Sequence, residues 1–82
     1  MSDTIIYNDV IQRSGYTIVD GVKIVQYVCT LPLSEPKAMR ITSTRLDIEL
    51  YKANREICRK DLAVFEDAAY QLQDEYIAKM SE

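Results

Sequence analysis

The stretch "YTIVDGVKIVQYVCTL", residues 16–31, decides the fold. It holds two β-rich runs separated by Asp20-Gly21, the pair that best tolerates positive φ at both central positions of a type I′ turn, and so reads as a β-hairpin. A two-residue loop at that point pairs Val19 with Val22, Ile18 with Lys23, Thr17 with Ile24 and Tyr16 with Val25. Strand alternation then assigns one surface to Tyr16, Ile18, Val25, Tyr27, Cys29 and Leu31, and the other to Thr17, Val19, Val22, Ile24, Gln26, Val28 and Thr30. Neither surface is plainly polar, so both are expected to be at least partly covered.

Upstream, "TIIYNDVIQR" (4–13) is β-prone, and Ser14-Gly15 reads either as a bulge in one long strand or as a turn between two. Downstream, "PLSEP" (32–36) reads as a loop, because each proline lacks a donor and biases the residue before it away from helix. "KAMRIT" (37–42) then forms a short strand, for an antiparallel sheet of three strands.

From Thr44 the apolar period changes to that of a helix. Thr44 is placed to cap with Asp47 at the third helical position, and Asp47 and Glu49 suit the positive end of the helix dipole. No Gly or Pro follows, and a helix from about Arg45 to Lys79 would run on the order of 50 Å at 1.5 Å per residue, more than a three-strand sheet covers. Two apolar stripes run along it. At 100° per residue Leu50, Ala53 and Ile57 fall within about 40° of Leu46, while Cys58, Leu62, Phe65, Ala69, Leu72 and Tyr76 cluster about 110° away. Either the helix is continuous, with its first half on the sheet and its second half packed on another chain, or it breaks near Arg59–Asp61 and folds back within the monomer. Residues of fair helix propensity around "RKD" favour the continuous form.

Charge divides at the same place. Residues 37–60 hold seven basic groups against three acids, a balance of +4, and residues 61–82 hold six acids against Lys79, a balance of −5. Acid at a helix C-terminus opposes the dipole, so local stability does not account for it. An antiparallel pairing of two copies would bring each acidic half towards the other's basic half. The second stripe, Leu62, Phe65, Ala69, Leu72 and Tyr76, is accordingly the expected dimer or partner interface.

Composition limits the chemistry. The chain is 48% hydrophobic and 28% charged, has no histidine and only two cysteines, and fits one small domain over residues 1–82, mainly β over 1–43 and helical over 44–80. There is no Ser/His/Asp set, Gly-rich phosphate loop or paired-cysteine motif, and Cys58, at the head of an apolar stripe, reads as a core thiol. Enzymatic activity is therefore not expected, nor is a cofactor. Glu66, Asp67, Asp74 and Glu75 form two acidic doublets, but a straight helix lacks the turning backbone that calcium favours, so they read as a solvated or partner-facing surface. The opening "MSDTIIYNDV" has neither the basic nor the apolar region of a signal peptide, and no run approaches a membrane span. A cytoplasmic setting with reduced thiols is the expectation.

A core of this size rarely supplies more than about 3 to 5 kcal/mol without a disulfide, a metal or a partner chain. The reading that results is an α+β domain, β-β-β-α, acting as a small protein–protein interaction or regulatory module that homodimerises through its C-terminal helix. The alternative is a nucleic-acid-linked regulator. It would bind directly through the basic 37–60 segment, with Arg45, Lys52, Arg55, Arg59 and Lys60 on phosphates, or block a nucleic-acid-binding protein with the acidic 61–82 segment. A sequence pI of about 4.9 argues against direct binding.

Overall fold

A computed structural model describes residues 9–80. Strand β1 (Val10–Val19) turns at Asp20-Gly21 into β2 (Val22–Pro32), and both turn residues have positive φ, 50° and 78°, as the type I′ hairpin requires. Strand β3 (Arg40–Arg45) adds antiparallel to β2, so the sheet order is β1-β2-β3. Between β2 and β3 the prolines form a loop that contains one 3-10 turn, Pro36–Ala38. The helical segment follows, giving the β-β-β-α order of an α+β fold. Of the β-prone upstream stretch, Thr4–Asn8 lies outside the described residues.

The hairpin register departs from the simple count. Val19 pairs with Val22 and Ile18 with Lys23, but Thr17 then pairs with Val25 and Tyr16 with Gln26, so Ile24 is an extra residue on β2. The carbonyl of this bulged Ile24 accepts the N–H groups of Leu46 and Asp47, at 2.8 and 3.2 Å, and its side chain is fully buried. One inserted residue exchanges the faces. Val25, Tyr27, Cys29 and Leu31 therefore share their surface with Gly15 and Thr17, while Tyr16 and Ile18 lie on the opposite surface with Gln26, Val28 and Thr30. Ser14-Gly15 is neither bulge nor turn: β1 runs through it, with Ser14 opposite Val28 and Gly15 opposite Tyr27.

The helical segment is two helices. Strand β3 extends through Thr44, paired with Gln26, so Thr44 cannot cap; Asp47 does, accepting the Leu50 N–H at 3.0 Å to start α1 (Ile48–Ala53). Asn54, at φ −130° and ψ 34°, then leaves the helical conformation, and its side-chain amide donates to the Leu50 carbonyl at 2.9 Å. Its own carbonyl accepts the Cys58 N–H at the start of α2 (Arg55–Met80). The expected single helix from Arg45 is thus interrupted at Asn54, while α2 passes unbroken through Arg59–Asp61.

The break also brings the second stripe onto the sheet, where Leu50 of the first packs as well. Cys58 and Ala69 on α2 are buried, and Leu62 and Phe65 pack on the cluster of Ile24, Val25 and Tyr27. Gly15 makes room for this: a Cβ there would lie 3.4 Å from the Phe65 ring, whose centroid is 5.7 Å from that of Tyr27. The second stripe therefore lies on the chain's own sheet, and Leu46 and Ile57 of the first are about half exposed. The reason is geometric, since Asn54 uncouples the direction of α1 from that of α2. On the opposite surface of the sheet Tyr16 and Ile18 are exposed while Gln26, Val28 and Thr30 are half-buried.

Candidate interaction surface

Where α2 sits on the sheet is fixed by a small polar network. The Thr17 hydroxyl, on β1, donates to Asp61 Oδ2 of α2 at 2.7 Å and lies 2.7 Å from the Tyr27 hydroxyl, on β2. With Thr17's hydrogen on Asp61, the Tyr27 phenol shares its single hydrogen between Thr17 Oγ1 and the Cys58 carbonyl at 3.1 Å. Thr17 is 1% exposed, and no buried side-chain polar atom among the described residues lacks a partner. Burial pushes the Tyr27 phenol and both thiols, Cys29 and Cys58, up from their ordinary values, with the Asp61 charge adding to the rise at Tyr27 and Cys58. Both cysteines are free and buried.

The network makes α2 two-sided. Asp61 reaches β1, so the flank that carries Asp61 overhangs β1. Ile57, Val64 and Ala68 stand four before, three after and seven after Asp61, and share that flank. Val64 is 69% exposed and Ile57 46%. Beneath this flank runs β1, ten residues long and the outermost strand, with no other strand among the described residues along its outer edge.

The opposite flank faces β3. There Arg45 and Arg59 line a cleft of about 70 Å³ with Ser43, Tyr51 and Leu62, and the Arg45 guanidinium lies 4.3 Å from the Tyr51 ring centre. Of the five basic residues that the sequence offers to phosphates, the structure brings these two together; Lys52, Arg55 and Lys60 are exposed and do not line the cleft. At the far end of α2, Ile77 and Met80 form a groove of about 540 Å³ with Ser34–Ala38, and Gln73 donates to the Pro36 carbonyl at 2.9 Å. Among the described residues no group of three Asp, Glu or Cys side chains comes together in a form that could hold a metal ion.

Of the five residues expected at a partner interface, Ala69 is 3% exposed, Leu62 and Phe65 face the sheet core, and Leu72 and Tyr76 are half-buried, with the Lys79 ammonium 4.5 Å from the Tyr76 ring centre. The helical period alone groups Ile57 with the stripe before the break, which hides the exposed flank in the sequence. Its signal was present in the four-three-four spacing of Ile57, Asp61, Val64 and Ala68.

Comparison with known proteins finds no matching family, curated protein or solved structure. No helix among the described residues is long and apolar enough to cross a membrane.

Proposed function

We propose that this chain is a non-enzymatic protein-interaction or regulatory module that works as a homodimer. The observation that carries the reading is its thinness. One helix layer lies on one sheet layer, the molecule measures 59 × 27 × 17 Å, and its radius of gyration is 16.4 Å against about 12 Å for a compact domain of this length. It exposes 6301 Å², against about 5000 Å² for an ordinary monomer of 9.5 kDa. The excess is of the order of the ~800 Å² that each partner covers in a standard interface. No histidine is available as a general base, and the two thiols are buried in their protonated form, which leaves them poor nucleophiles. Free buried thiols fit a reducing, cytoplasmic location.

Sedimentation velocity at micromolar concentration tests this directly. A species of twice 9.5 kDa is expected, and a monomer at those concentrations overturns the homodimer. The cleft shared by Arg45 and Arg59 favours one second reading, a contact with nucleic-acid phosphates. A mobility-shift experiment with nonspecific duplex at low salt is expected to show no complex; a salt-sensitive shift lost on Arg59→Ala would put the second reading first.

A further inference from the structure

We infer that the second copy docks edge to edge: β1 pairs antiparallel with β1 of the partner, joining two three-stranded sheets into one of six, with the two α2 helices side by side above the seam. This rests on the homodimer proposed above and names its surface. The first argument is the edge itself. β1 runs ten residues without a proline, and no other strand among the described residues lies along its outer edge, whereas the other edge, β3, is six residues long and bounded by Arg40 and Arg45. Long open edges pair, and short edges with charges are protected.

The second argument is spacing. Through Thr17 and Gly15 on β1 and Tyr27 on β2, α2 lies over the line between β1 and β2. Strands stand about 4.8 Å apart, so that line is about 4.8 Å from the line between β1 and a paired β1. Two copies of α2 would then lie roughly 9.6 Å apart, within the 8–10 Å at which helices pack.

The third argument is symmetry. A two-fold axis normal to the sheet makes the strand pair and the helix pair antiparallel at once. The midpoint of β1 falls at Ser14-Gly15, and Phe65 lies over Gly15, so the same axis passes beside Val64, the most exposed of the large apolar side chains on that flank. Val64 would meet its own copy, with Ile57 and Ala68 to either side. On the side of α2 that carries Val64, antiparallel helices also set Lys60 towards the partner's acidic half, where Asp67 and Glu75 share that side, whereas a parallel pair would oppose like charges.

Cross-linking of the full chain in single-cysteine additions tests the geometry. Ser14→Cys should form an inter-chain disulfide under mild oxidation, and Val64→Cys should be joined by a short bis-maleimide. Thr42→Cys, exposed on β3 at the other edge of the sheet, should give neither, and the unaltered chain supplies the background of its own thiols. Val64→Asp should raise the dimer Kd at least about tenfold while leaving the circular dichroism of the monomer intact. If the chain is a dimer yet Val64→Cys does not cross-link, or Thr42→Cys does, the copies stack through the sheet surface or through β3, and the edge pairing is wrong while the homodimer stands. A monomer in sedimentation removes both.

Discussion

Thr17 is where a single side chain does most to hold helix and sheet together. Its hydroxyl is bonded on both sides, to Asp61 on α2 and Tyr27 on β2, in a site with almost no access to water. Thr17→Val keeps the shape and removes both bonds, leaving the Asp61 carboxylate without that donor, and is expected to cost about 1–3 kcal/mol in urea unfolding. Tyr27→Phe leaves the Thr17–Asp61 bond in place and should cost less, about 1 kcal/mol. A double-mutant cycle checks the coupling: if the two losses add without interaction, the network is not one unit. The same site sets an alkaline limit. Burial raises Tyr27, Cys29 and Cys58 above their ordinary values of 10.0, 9.0 and 9.0, so the folded state holds these protons more tightly than the unfolded chain. Their contribution is fully present below those ordinary values and is lost as pH rises past them. The melting temperature should accordingly fall from about pH 9 upward, and both thiols should react with a thiol reagent only as fast as the chain opens.

At the scale of elements, α1 is the piece most dependent on one contact. Six residues are too few to be helical alone, and the Asp47 cap on the Leu50 N–H holds the first turn. Asp47→Ala should cost about 1 kcal/mol and speed hydrogen exchange at the Leu50 amide. Exchange within α2 should be unchanged, because Asn54 separates the helices and α2 is anchored on the sheet independently. Asn54 also marks the limit of what the sequence makes legible. The hairpin could be read because Asp20-Gly21 has few alternatives, and the three strands and the helical segment followed from period and prolines. The bulge at Ile24 could not be read, because it depends on Leu46 and Asp47, residues more than twenty positions away that use its carbonyl. Nor could the break at Asn54, a residue of only moderately poor helix propensity whose side chain competes for the backbone. Those two local events exchange the faces of the hairpin and bring the second stripe onto the sheet, which is why the order of elements was legible and the identity of the outward-facing flank was not.

For the whole molecule, the separation of charge along α2 is what an edge-paired dimer would use. Its first six residues carry Arg55, Arg59 and Lys60 against Glu56, and the remainder carries Asp61, Glu66, Asp67, Asp74 and Glu75 against Lys79. Within one copy this arrangement opposes the helix dipole, because acid stands at the C-terminal end; between antiparallel copies it becomes attraction. The pairs would lie at the exposed rim above the strand seam, where screening acts. Raising salt from 0.1 to 1 M shortens the screening length from about 10 to 3 Å, so the dimer Kd should rise several-fold while the hydrogen bonds of the paired β1 strands persist. Reversing one sign, as Lys60→Glu, should weaken the dimer at low salt and abolish most of its salt dependence. A dimer of folded copies is stabilised by mass action, so if the second copy binds as proposed the melting temperature should also climb with protein concentration. A melting temperature independent of concentration, together with a Kd indifferent to salt, would mean that the two charged halves face solvent and that the second copy is held elsewhere.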